Sequence, residues 1–138
     1  LAQKLAGKPY TIVGDGTQRR DFVFVTDLVR AFFMAAESNR TGEIYNVGAG
    51  NPQAVNRLVE LLEGESVLIP KRPGEPDCTW ADIAKIQKEL SWEPMVSFEE
   101  GVREMLRNID YWRNAPVWDP GSIAKATETW FGALWARV

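Results

Sequence analysis

The sequence predicts an α/β fold, and more narrowly a portion of one, with a few short strands interleaved with about five helices. Two observations carry this. Along the 138 residues, short β-rich runs alternate with stretches whose apolar residues recur at helical spacing. The strands are nevertheless too few, and too short as apolar runs, for a free-standing parallel sheet covered on both faces. The chain reads as supplying helices and an odd strand to a sheet whose remainder lies elsewhere. It also opens on Leu1 rather than Met, which points to a fragment or a processed product.

Each element has its own signal. Leu1 and Leu5 stand one helical turn apart, with Gly7 as a stop. "YTIV" (10–13) and "FVFV" (22–25) are β-rich runs flanking a Gly-Asp-Gly loop, which predicts strand–loop–strand. Thr26 can cap a helix whose apolar stripe is Leu28, Val29, Phe32, Phe33 and Ala36. "EIYNVG" (43–48) reads as a short strand. Val55, Leu58, Val59 and Leu62 mark a helix closed by Gly64, and "SVLIP" (66–70) is a strand running into the turn "KRPGEPD". Asp82 can cap a helix carrying Ile83, Ile86 and Leu90. Ser97 and Glu100 form the S-x-x-E capping box ahead of Phe98, Val102, Leu106 and Ile109. Asp119-Pro120 opens a last helix with Ile123, Thr127, Trp130, Phe131 and Leu134 on one side.

Composition excludes several function classes. A net charge of −3 argues against a general nucleic-acid binder, and no apolar run approaches the ~18 residues of a membrane span. There is no histidine, which removes Ser-His-Asp and Cys-His catalysis; with one cysteine as well, Cys78, the composition argues against a zinc site and fits a reducing cytoplasm. Four of the six tryptophans (Trp112, Trp118, Trp130, Trp135) fall in the tail, which should be buried against its own domain or another chain.

Of 16 basic residues, only two pairs are adjacent, Arg19-Arg20 and Lys71-Arg72. Both stand where a strand meets a Gly- or Pro-rich loop. An arginine fork matches phosphate oxygens two at a time, so two converging loop arginines suit a diphosphate. From the residues alone the plainer reading is favoured: solvated ion pairs with Asp15, Asp21, Glu75 and Asp77. Asp27 and Asp82 read as helix-start residues, Asp21 as a partner that orients Arg20, and Asn46 as a turn residue. Tyr10, Tyr45 and Tyr111 carry no mark of catalysis, and Cys78 none of a reactive thiol.

Three stretches in order, "GDGTQRRDFVFVTDLVRAF", "GEIYNVGAGNPQAVNRLVELL" and "KRPGEPDCTWADIAKIQKELSWEPMVSFEEGV", resemble the C-terminal portion of the extended short-chain dehydrogenase/reductases. Within these, the resemblance is to the NAD-dependent nucleotide-sugar epimerases and dehydratases, the UDP-glucose 4-epimerase-like enzymes. The fold it implies is the C-terminal part of an extended Rossmann-type enzyme. Residues 1–113 would bind the nucleotide sugar and residues 114–138 would form an amphipathic helical extension, or else a dimer contact or a cover for the missing domain. By resemblance Arg20 and Arg72 contact the substrate diphosphate from two sides, and Glu75 a nucleotide or ribose group.

The family's N-terminal NAD-binding domain is expected to lie outside this chain. No G-x-x-G-x-x-G occurs, and no Tyr-x-x-x-Lys: the residues four past Tyr10, Tyr45 and Tyr111 are Gly14, Ala49 and Ala115. These 138 residues alone are therefore expected to be inactive, with NAD a cofactor of the parent only. The alternatives are a stand-alone, non-catalytic nucleotide-sugar-binding or regulatory module, and a structural subdomain that orders on a partner.

Overall fold

A computed structural model describes residues 1–135. In chain order the elements are α1 (Ala2–Leu5), β1 (Tyr10–Val13), β2 (Arg19–Arg20), α2 (Val25–Glu37), β3 (Gln53–Ala54), α3 (Val55–Leu62), β4 (Ser66–Ile69), α4 (Ala84–Leu90), α5 (Phe98–Arg107), a 3-10 turn (Ile109–Trp112) and α6 (Pro120–Trp135). β1 and β4 pair in parallel from Tyr10↔Ser66 to Val13↔Ile69, and α3 forms the crossover that parallel pairing requires. β2 and β3 pair antiparallel through Arg19↔Ala54 and Arg20↔Gln53. The sequence thus predicted the α/β class and the helices, with β1 residue for residue and β4 to within one residue.

The period-2 alternation of β1 decides what faces inward. Tyr10 and Ile12 are buried, and Tyr10 joins Leu62 and Val102 in a core that Leu1, Leu58, Phe98 and Leu106 complete. Thr11 and Val13 face the other way, towards the candidate site. A second core gathers Ala31, Ile86, Leu90 and the fully buried Trp92, with Val23, Tyr45, Val47 and Ile83 against it. These are the apolar positions expected of α3, α4 and α5, and the Ser97–Glu100 box forms as predicted. Asp119 caps α6 reciprocally with Ser122: Ser122 N–H donates to its Oδ1 (2.7 Å), and its own N–H to Ser122 Oγ (2.9 Å).

Four expectations are corrected. "FVFV" is not a strand. Phe24 is the N-cap of α2 and Val25 its first residue, so Thr26 does not cap the helix. Alternating side chains here pack on helices rather than on a sheet: Phe22 stacks on Phe98 at 5.0 Å and Val23 joins the Trp92 core. "EIYNVG" enters no ladder among the described residues; Tyr45 and Val47 pack on the same core while Ile44 stays 83% exposed. The predicted apolar stripe of α2 is not its buried face. Asp27 and Ala31 are buried, whereas Val29, Phe32 and Phe33 are exposed. Lastly, α3 leaves helical geometry at Glu63, whose φ is +52°, one residue before Gly64.

The aromatic tail is less buried than expected. Trp112 and Phe131 are half-buried, but Trp118 and Trp130 remain 49% and 45% exposed. The side chains of Leu134 and Trp135 lie outside the described residues.

Candidate functional site

The site begins where β1 runs out. Gly14 and Gly16 adopt positive φ (65° and 77°), and a Cβ on Gly16 would come within 1.9 Å of Asn56 Oδ1, so only glycine fits against the start of α3. Asp15 locks the turn. Its Oδ1 accepts from the Thr17 hydroxyl (2.6 Å) and backbone N–H (3.0 Å), which hold its carboxyl below the ordinary aspartate range. Asn56 Nδ2 donates to Asp15 O at 3.0 Å and Gln18 Nε2 to Val13 O at 2.9 Å.

That rigid turn delivers two arginines to opposite fates. Arg19 gives Nε and Nη2 to Pro52 O (3.0 and 2.7 Å) and is a strut. Arg20 crosses to the turn after β4. Its Nη2 donates to Glu75 Oε1 at 2.9 Å and its Nη1 to Pro76 O at 3.0 Å. The turn itself is closed by Glu75 N–H donating to Arg72 O (3.3 Å), with Gly74 at φ +74°. Glu75 Oε2 is inaccessible to solvent and has no partner among the described residues. A buried carboxylate oxygen left unmatched is costly unless something else donates to it.

A cleft of about 330 Å³ opens here, lined by Gly14, Asp15, Lys71, Glu75 and Asp77. Lys71 pairs with Asp77, which raises its ammonium pKa, helped by Asp15 and Glu75. Arg72 turns into a neighbouring cleft of about 640 Å³ with Gln3, Thr11, Trp112, Trp118 and Thr127. The fold therefore brings Arg20 and Glu75 into contact and sets Arg72 on the far end of the same turn, directed elsewhere.

Asp21 does not orient Arg20. Its carboxylate accepts from the backbone N–H groups of Ala49 (3.0 Å), Gly50 (3.2 Å) and Ala81 (3.1 Å), tying together loops that the sequence kept apart. Lys71 as a cleft wall was visible only as the neighbour of Arg72, and nothing in the pattern announced the backbone clamp of Asp21. Among the described residues no cluster of His, Cys, Asp and Glu is placed to hold a metal, and no helix is long and apolar enough to cross a membrane.

The family model for GDP-mannose 4,6 dehydratase matches residues 1–105. The chain belongs to the extended short-chain dehydrogenase/reductase family of NAD-dependent nucleotide-sugar epimerases and dehydratases. Among relatives in this family, the dTDP-glucose 4,6-dehydratase of Haemophilus influenzae is 33% identical over 125 residues, 78% of this chain and 37% of that protein. The UDP-glucuronate 4-epimerase of Thermodesulfobacterium geofontis is 41% identical over 103 residues, 70% of this chain and 32% of its own. In solved structures, the fold matches the UDP-glucuronic acid 4-epimerase of Bacillus cereus, in complex with UDP-glucuronic acid and NAD, with a TM-score of 0.74 and 33% identity. That match covers 80% of this chain and 38% of that one. The chain thus spans little more than a third of the epimerases and dehydratases it resembles, and corresponds to part of their fold.

The remaining singled-out residues hold structure. Asn46 donates to Asp82 O (3.3 Å), Tyr45 donates to Glu89 Oε2 (2.9 Å), and the Tyr10 hydroxyl donates to Leu62 O (3.3 Å). Asp82 does not cap α4, whose N-cap is Ile83; it stands one residue earlier and accepts from Ala84 N–H at 3.0 Å, closing the turn that leads into the helix. Cys78 is exposed and bridges to Arg19 through the backbone, and Tyr111 is exposed.

Proposed function

We propose that this chain is the C-terminal, nucleotide-sugar-binding part of an NAD-dependent epimerase or dehydratase, and that Arg20 and Arg72 hold the substrate diphosphate. The observation that carries this is the Arg20–Glu75 bond of 2.9 Å, which joins the Gly-Asp-Gly loop to the Arg-Pro-Gly-Glu turn. Glu75 lines one cleft and Arg72, at the far end of that turn, lines its neighbour, so that the diphosphate would lie across the turn between them. Two guanidinium groups match the two negative charges of a diphosphate, and the partner-free Glu75 Oε2 is an acceptor for a ribose hydroxyl. When the diphosphate arrives, Arg20 exchanges its carboxylate partner for phosphate oxygens and Glu75 is freed to turn to the nucleoside.

The residues described do not fit the dinucleotide. Its pyrophosphate needs a glycine loop that opens a helix N-terminus. Here the Gly14–Gly16 loop leads into β2, and the N–H groups of the 48–50 loop are already taken by Asp21. NAD belongs to an N-terminal part outside these residues, in a cytoplasmic enzyme, where it would take a hydride from the sugar and return it. The contribution of this part is anchoring: contacts at the remote diphosphate fix the sugar for chemistry elsewhere.

The test is calorimetric titration of the full-length protein carrying this chain with UDP, dTDP, GDP and CDP. One of them binds, and Arg20→Ala and Arg72→Ala each weaken it by roughly 10- to 100-fold, the worth of a charged hydrogen-bonded contact. Affinity unchanged in both variants would remove the proposal.

A further inference from the structure

Arg72 meets the indole of Trp130, its guanidinium carbon lying 5.6 Å from the ring centroid. Trp130 stands on α6, beyond the residues that the family model matches. We propose that Trp130 is a positioning residue for Arg72, holding the guanidinium over the indole without a hydrogen bond, so that the N–H groups stay available to an anion. The inference rests on the reading of Arg72 as a diphosphate ligand.

The other arginines of the site are fixed by spending donors. Arg19 gives two to Pro52 O, and Arg20 gives its own to Glu75, Pro76 and Arg19. The Arg72 guanidinium makes neither a hydrogen bond nor an ion pair among the described residues; its partner is the indole. Attraction between a cation and the face of an indole needs no hydrogen bond and so consumes none of the guanidinium donors. Holding a long side chain in place before the ligand arrives lowers the ordering cost of binding.

The support for the indole is built into the tail. The reciprocal Asp119–Ser122 cap starts α6, and Gln3 Nε2 donates to Trp118 O at 2.8 Å, fastening the approach to α6 onto α1. Ile123 and Thr127, two turns and one turn before Trp130, line the same cleft as Arg72. Trp130 itself is 45% exposed, so it is not filling a core, and its truncation leaves no buried cavity.

The experiment uses the full-length protein and whichever of UDP, dTDP, GDP and CDP binds it, read by calorimetry. Trp130→Ala weakens binding about three- to tenfold. Trp130→Phe, which keeps an aromatic face, restores most of the loss, and Trp130→Ala has no further effect in an Arg72→Ala background. Wild-type or tighter binding by Trp130→Ala, or an equal loss with and without Arg72, overturns the inference while leaving the diphosphate reading intact. If none of the four nucleotides binds, or Arg72→Ala alone changes nothing, that reading falls and takes the inference with it.

Discussion

Asp27 looks on the sequence like a carboxylate placed to suit a helix dipole, and it does stand in the first turn of α2. Its larger task is invisible in the local pattern because its partners are far along the chain. It is 2% exposed; Oδ2 accepts from the backbone N–H groups of Met95 (3.0 Å) and Val96 (2.9 Å), and Oδ1 pairs with Arg30 at 3.1 Å. Its backbone oxygen accepts from the indole of Trp92 at 3.0 Å. Replacing Asp27 by Ala strands two N–H groups and takes the carboxylate partner from the half-buried Arg30, leaving it the Glu93 carbonyl and the Trp92 ring. Urea unfolding should show a loss of about 3 kcal/mol, and a loss below about 1 kcal/mol would mean that water replaces these contacts freely. Gly48 gives a second residue-scale test. A Cβ there would lie 2.3 Å from Asp21 Oδ2 and 2.6 Å from Ala81 Cβ. Gly48→Ala therefore pushes Asp21 off its three N–H donors and should cost roughly 1–3 kcal/mol by the same measurement.

At the scale of elements, legibility followed the range of the interactions. The capping box of α5 could be read because Ser97 and Glu100 carry the whole signal within four residues. So could α3 and α4, whose inward faces repeat at helical spacing. β2 and β3 could not, since each is two residues long and exists through pairing with the other. The run 22–25 alternated as a strand should, but Phe24 packs over Gly101, where an added Cβ would lie 3.0 Å from its ring. Within the site, Arg20 and Glu75 could be named from their motifs, whereas the Arg72–Trp130 contact spans two distant segments without a shared pattern. The capping box also makes a prediction with a sign. The Ser97 hydroxyl and then its N–H donate to Glu100 and hold its carboxyl below the usual range. A depressed folded-state pKa contributes stability above the unfolded value of about 4.3, and loses it as pH falls through the folded value. The advantage of the wild type over Glu100→Gln should be full at pH 7 and vanish towards pH 3. A difference independent of pH would show that the charge plays no part.

Over the whole molecule, the misread face of α2 is the informative error. The sequence places Val29, Phe32 and Phe33 on an apolar stripe, and that stripe exists; nothing among the described residues covers it. Val25 is 59% exposed, Phe32 68% and Phe33 64%, with Ile44 of the unpaired 43–48 segment at 83%. Contiguous apolar surface of this kind marks an interface or drives association. The chain covers only 38% of the Bacillus cereus epimerase that it matches, so a covering partner is to be expected in the remainder of a longer protein. The 138 residues alone should therefore self-associate through α2, seen in equilibrium sedimentation as a mass that rises with concentration. Phe32→Glu with Phe33→Glu should return the isolated chain to a monomer, because two charges at that face oppose both burial and each other. In a full-length protein whose remainder covers this face, the same pair should instead lower the melting temperature. A wild-type fragment that stays monomeric at high concentration would mean that these phenylalanines are solvated without consequence. A full-length protein indifferent to the two glutamates would mean that its remaining domain packs elsewhere.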